Sequence, residues 1–153
     1  MARKSAGLLM YRTRAGQVEV LLIHPGGPFW AHKDAGAWAI PKGEFTDEEP
    51  PLDAAKREFQ EETGFPASGA FRPLEPIKQA GGKIVHAWAV EGDLDADAVR
   101  SNSYPMEWPP HSGVWKSFPE VDRAAWFSLL QARQKILKSQ LPLLDQLERL
   151  LKQ

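Results

Sequence analysis

Eight acidic side chains crowd one stretch of this sequence, Gly43 to Phe65 (GEFTDEEPPLDAAKREFQEETGF). They are Glu44, Asp47, Glu48, Glu49, Asp53, Glu58, Glu61 and Glu62, set against Lys56 and Arg57. Eight minus two leaves a charge of −6 there in a chain whose total is −1, so the remainder is net positive. On a helix turning about 100° per residue, Leu52, Ala55 and Phe59 form an apolar stripe, and Glu62, Glu58 and Glu61 fall roughly 60°, 100° and 160° to one side of Phe59. Glu58 and Glu62 are four positions apart and therefore neighbours, and like charges at that spacing oppose the helix. At about 4 Å the bare repulsion of two carboxylates is about 4 kcal/mol for an effective dielectric near 20. A cation removes that cost. Hard divalent ions take oxygen ligands, and Mg²⁺ combines a few carboxylates with water and substrate phosphates. Without a cation the same flank is a solvated acidic face, eased by the Arg57 to Glu61 pair.

The rest of the composition narrows the chemistry. With no Cys in 153 residues there is no disulfide framework, thiolate metal site or cysteine nucleophile, which leaves carboxylates, imidazoles, hydroxyls and amines. Nineteen Lys plus Arg against twenty Asp plus Glu give no general attraction for a polyanion, which disfavours a long nucleic-acid partner. No run approaches the roughly 18 apolar residues of a membrane span, and the apolar run after Met1-Ala2-Arg3-Lys4-Ser5 is too short for a signal-peptide core. The expectation is a cytoplasmic protein with no membrane partner. A hydrophobic content of 42% and a charged content of 25% are those of one globular domain, here residues 1–153.

The elements that must position the acidic cluster follow from pattern. Ser5 to Tyr11 and Val18 to His24 predict two paired strands joined by a turn over Arg12 to Gln17. Pro25 to Gly36 has too many breakers for an element and predicts a loop, and Trp38 to Ile40 predicts a short strand ending at Pro41. Pro50 to Thr63 predicts a helix with prolines in its first turn, Asp53 near its positive end and Gly64 as its left-handed stop. Lys83 to Val90 predicts a strand after the Gly81-Gly82 turn. From about Trp126 onward leucines recur at helical spacing, broken by Ser139 and Pro142 into two helices. Ser101 to Gly113, rich in Pro and aromatics, predicts a long loop, and such loops are commonly functional.

Gly43, five residues, Glu49, seven residues, then Arg57-Glu58-Phe59-Gln60-Glu61-Glu62-Thr63-Gly64-Phe65 resembles the Nudix box, the signature of the Nudix hydrolase superfamily. A chance match to its seven fixed identities is on the order of 10⁻⁸ to 10⁻⁹ per starting position. Phe59 and Phe65 stand where aliphatic residues are commoner. Trp38-Ala-Ile-Pro-Lys-Gly43 ahead of the box and the strand order around it also look like this family. Chain length and the Lys83 to Val90 and Glu120 to Trp126 segments look most like its dinucleoside polyphosphate hydrolase branch. Ala87, where those enzymes can carry a stacking Tyr, and the insert at Tyr104 to Gly113 depart from that branch.

The resemblance implies an α/β fold, a Nudix-type α/β/α sandwich with a mixed sheet and C-terminal helices. It implies Mg²⁺ or Mn²⁺ held against a diphosphate and hydrolysis of a nucleoside diphosphate linked to another moiety. Carried over by position, Glu58, Glu61 and Glu62 are the metal-binding carboxylates, one of them serving the attacking water. Arg57 holds them, Glu49 braces the loop, and Gly43 and Gly64 permit its turns. A fourth carboxylate from outside the box is Glu120 or Glu107, with Glu120 favoured. Lys42 and Lys83 are candidates for phosphate contact, and Tyr104, Trp108 and Trp30 for stacking on a base. His24 and His86 read as structural, and His111 carries no signal. Nucleoside triphosphate cleanup, ADP-ribose hydrolysis and removal of a 5′ diphosphate from RNA are alternatives within the class. A nucleotide-sensing module without turnover is the alternative outside it. The partner is a small nucleotide, and the C-terminal leucine repeat fits either a monomer or a homodimer.

Overall fold

The computed structural model describes residues 3–152. Strands β1 (Lys4–Arg14) and β2 (Gln17–Pro25) form an antiparallel hairpin around Ala15-Gly16, both of positive φ. Strand β3 (Lys42–Glu44) runs antiparallel to the start of β1, over Ser5 to Gly7, while β2 pairs with the end of β1, over Tyr11 to Arg14. Helix α1 (Pro51–Thr63) follows, then two short strands, β4 (Arg72–Pro73) and β5 (Ile77–Lys78), both antiparallel to β6 (Ile84–Glu91). Strand β6 lies parallel to β1. Strands β7 (Ser103–Glu107) and β8 (Trp115–Pro119) make a separate ribbon, and β9 (Val121–Ser128) returns to the sheet beside β2. Helices α2 (Leu129–Lys135) and α3 (Leu141–Leu151) close the chain. The sheet is thus mixed, in the order β4-β6-β1-β2-β9.

Alternation along β1 explains the layering, because successive strand residues point to opposite faces. Ala6, Leu8 and Met10 pack with Ala54, Ala55 and Phe59 of α1, whereas Leu9 and Tyr11 share the opposite core with Ala132, Ile136, Leu143, Leu144 and Leu147. The result is an α/β/α sandwich, α1 on one side and the C-terminal pair on the other. Phe59 is fully buried and fixes α1 on the sheet. Truncation to Ala there costs about 3–5 kcal/mol. Arg133 ties α2 to α3 by donating to Asp145 at 2.7 Å and Glu148 at 2.5 Å. Among the described residues no helix is long and apolar enough to cross a membrane.

Four elements differ from the sequence expectation. The first hairpin turn is tighter than Arg12 to Gln17, because Arg12, Thr13 and Arg14 remain in the ladder; backbone pairing needs no apolar side chain, and Arg12 also meets Glu19 at 2.8 Å. Trp38 to Ile40 makes isolated bridges, Ile23 to Ala39 and Trp38 to Ile136, and no strand. The expected loop at 101–113 is largely the first strand of the β7–β8 ribbon and its tip; its prolines read as breakers, while pairing with β8 orders the Tyr104 and Met106 alternation as a strand. Trp126 and Phe127 end β9 and precede the helix, which starts at a capping box of Ser128 and Gln131.

Candidate active site

Every charged residue of the box is placed by α1 and the loop before it. The helix starts on Pro51 after Pro50, carries Asp53 in its first turn and ends where Gly64 adopts φ 82°, its N–H donating to the Gln60 carbonyl. A Cβ at Gly64 would also approach the Arg100 carbonyl to 2.9 Å. Arg57 organises the carboxylates. Its Nε and Nη2 donate to the two oxygens of Glu49 at 2.8 and 2.9 Å, a fork that only a guanidinium makes. The remaining Nη1 donates to Glu58 Oε2 at 2.7 Å and to both oxygens of Glu61 at 3.3 Å. Glu58 lies against the backbone of Gly43, where an added Cβ would stand 1.9 Å from Glu58 Oε1. Glycine at 43 is therefore a demand of the Glu58 carboxylate for space. Glu62 accepts a hydrogen bond from the Lys42 backbone N–H at 3.0 Å.

The electrostatics record the crowding. Burial, reinforced by the Glu58 and Glu120 charges, pushes the Glu62 carboxyl up to about 8. Burial also raises Glu58, with Glu61 and Glu120 adding to it against the opposing Arg57. Glu49, answered directly by the Arg57 hydrogen bonds, is lowered instead, and the same bonds raise Arg57. Lys42 is lowered by burial and by Lys83, whose ammonium stands close by. Two cations side by side next to an acidic cluster suit an anion that bears several negative oxygens.

The two candidates for a fourth carboxylate part company. Glu107 accepts from the backbone N–H groups of His111 and Gly113, both at 3.1 Å, and so ties down the tip of the β7–β8 ribbon. Glu120 is held by a relay of backbone bonds. Asn102 N–H donates to the Glu61 carbonyl at 3.0 Å, Glu120 N–H to the Asn102 carbonyl at 2.8 Å, and Gly26 N–H to the Glu120 carbonyl at 2.9 Å. Burial, then the nearby Glu61, raises the Glu120 carboxyl.

The aromatic candidates meet their own chain. The Tyr104 hydroxyl donates to the Gly26 carbonyl at 3.4 Å and its ring tilts against Phe118. Trp108 packs edge-on to Phe29 at 5.3 Å, and Lys33 lies over Trp30. His24 is fully buried, with Nδ1 2.8 Å from Asp122 and Nε2 2.6 Å from the Lys33 carbonyl. His86 lies edge-on to Phe45 and burial lowers its pKa. The roles of Asn102, Gly26 and Asp122 had no signal in the sequence, since each depends on a neighbour more than 30 positions away.

Among the described residues no group of three or more Asp, Glu or His side chains is already gathered closely enough to hold a metal ion. Arg57 draws Glu58 and Glu61 toward itself while Glu62 sits on the Lys42 backbone. The donor set nevertheless fits a hard divalent cation. It is all oxygen, and the Glu62, Glu58 and Glu120 carboxyls are raised first by burial and then by one another's or Glu61's charge.

Comparison with known proteins places this arrangement. A family model of the NUDIX domain matches residues 1–147. No curated protein matches the chain. Among solved structures, a C. elegans Ap4A hydrolase in a binary complex is 25% identical over 99% of this chain and 98% of that one, with a TM-score of 0.67. The NUDIX domain of Shewanella oneidensis NrtR, complexed with ADP ribose, is 19% identical over 99% of this chain and 89% of that one, with a TM-score of 0.69. A mutT/nudix family protein from Listeria innocua is 16% identical over 98% and 94%, with a TM-score of 0.64. The last two show a shared fold.

Proposed function

The chain belongs to the NUDIX domain family and is a Nudix hydrolase, and from that premise we propose that it is a Mg²⁺- or Mn²⁺-dependent pyrophosphohydrolase. Its substrate is a nucleoside diphosphate linked to another moiety, with a dinucleoside polyphosphate or a nucleoside triphosphate as the first choices. The observation that carries this reading is Glu62. It lies on the Lys42 backbone N–H at 3.0 Å beside the Glu58 and Glu61 pair that Arg57 holds, burial pushes it up to about 8, and the paired Lys42 and Lys83 supply the complementary anion seat next to it. Similarity to the C. elegans Ap4A hydrolase supports the dinucleoside choice.

Glu58, Glu61, Glu62 and Glu120 would hold the ion. When bound, it neutralises phosphate charge and acidifies water. Arg57 keeps Glu58 and Glu61 side by side through its Nη1, and taking up the ion would draw them and Glu62 closer together than they stand. Lys42 and Lys83 orient the phosphate chain by charge. One of Glu58, Glu61 and Glu62 accepts the proton of the attacking water.

The test is a panel of nucleotide diphosphate derivatives incubated with the protein and Mg²⁺, with released products separated by chromatography. Hydrolysis that Glu62→Gln abolishes is the expected result. Tight binding with no turnover by the unaltered chain would replace the enzyme reading with a nucleotide sensor.

A further inference from the structure

We infer that His24 and Asp122 are positioning residues for Glu120, acting through a bulge in the β2–β9 ladder; the inference rests on the proposed place of Glu120 at the metal site. Strands β2 and β9 run in step from Glu19 opposite Ser128 to His24 opposite Arg123, after which Pro25 faces Val121. Asp122 is the extra residue. In an unbroken ladder Pro25 would face Asp122 and the chain beyond would be displaced by one position, about 3.3 Å along the strand. The bulge also resets the alternation. Val121 joins Ala124 and Trp126 in the core beside α1, where strict alternation would turn it to the other side. Asp122 is left free to reach His24, and the Gly26 N–H takes the Glu120 carbonyl at 2.9 Å.

His24 clamps that arrangement. The ring is 0% exposed, lies edge-on to Trp38 at 5.2 Å, and holds Asp122 Oδ1 at 2.8 Å on one nitrogen and the Lys33 carbonyl at 2.6 Å on the other. It thereby joins the extra residue of β9 to the loop after β2, whose Gly26 binds Glu120. Asp122 Oδ1 and the Lys33 carbonyl oxygen are both acceptors, one facing each ring nitrogen. With the Asp122 side chain truncated, the extra residue loses its tie to the loop after β2, and the backbone bonds of Glu120 to Asn102 and Gly26 are left to hold the bulge alone. A slip of about 3.3 Å is larger than the whole distance of about 2.0–2.1 Å between an oxygen ligand and Mg²⁺.

The experiment titrates the metal-free protein with Mn²⁺ alone and reads free ion by electron paramagnetic resonance, for the wild type, Asp122→Ala, Asp122→Asn, Glu120→Gln and the Glu120→Gln/Asp122→Ala double variant, with thermal melts run in parallel. Asp122→Ala is expected to weaken Mn²⁺ binding about tenfold, the size typical of a group that orients a ligand. Asp122→Asn is expected to restore it, since an amide N–H can donate to His24 Nδ1 while Nε2–H still donates to Lys33. The double variant is expected to bind no more weakly than Glu120→Gln, because the positioning residue has nothing left to position. Losses that add in the double variant, or an Asp122→Ala protein that melts lower yet binds Mn²⁺ normally, would overturn the inference while leaving Glu120 in place. A Glu120→Gln protein with undiminished Mn²⁺ affinity would remove Glu120 from the site and the inference with it.

Discussion

Replacing Glu62 by Gln separates the cost of keeping a carboxylate in the site from the use made of it. Burial, with Glu58 and Glu120 nearby, moves this carboxyl from its ordinary 4.5 to about 8. Such a group is favoured protonated in the fold, so its stabilising contribution is complete below about 4.5, fades as pH rises and is gone above about 8. The gap between the two values corresponds to on the order of 4–5 kcal/mol at about 1.4 kcal/mol per pH unit. Gln has the same shape, keeps an oxygen for the Lys42 N–H and never ionises. Metal-free wild type should therefore lose stability relative to Glu62→Gln between about pH 4.5 and about pH 8, by roughly 8–20 °C of melting temperature for a domain of this size. Calorimetric melts of both proteins in a chelator measure it, and the same melts with Mg²⁺ at the upper pH should rescue the wild type alone. A difference in melting temperature that stays constant with pH would mean that Glu62 carries no ionisation penalty. Equal stabilisation of both proteins by Mg²⁺ would mean that Glu62 does not hold the ion.

Gly43→Ala should fold, because the atoms it meets are the end of one side chain, but it must displace Glu58; Mn²⁺ affinity and turnover should fall about tenfold or more while the melting temperature changes little. Arg57→Lys loses the fork to Glu49 and cannot span Glu58 and Glu61 together, so steady-state kinetics should show kcat reduced about tenfold or more. Glu107→Gln, at the ribbon tip, should leave Mn²⁺ titrations unchanged, in contrast to Glu120→Gln; a loss in the former would return Glu107 to the metal site. Gly64→Ala should destabilise by about 1 kcal/mol or more in denaturant melts, since it forces a side chain into φ 82° against the Arg100 carbonyl.

Local spacing determined a great deal. The acidic helix, its proline start and its glycine stop were legible because each depends on residues within a few positions of one another, as was the flank shared by Glu58, Glu61 and Glu62. The first two strands and β6 were legible from short-range apolar pattern. Tertiary structure alone decided the rest. In the ribbon at 103–119, Tyr104, Met106 and Trp108 alternate with Ser103, Pro105 and Glu107, but the prolines around them read as loop until the pairing with β8 is seen. Glu107 and Glu120 are equally plausible acidic residues in the sequence; their difference is that one is consumed by the ribbon tip and the other is carried by Asn102 and Gly26 to the end of α1. The demand for Gly43 comes from a carboxylate 15 positions later, and the environment of His24 from a residue 98 positions later. Contacts of that kind form only when the sheet closes, because side-chain spacing along one element fixes direction but not which distant element it will meet.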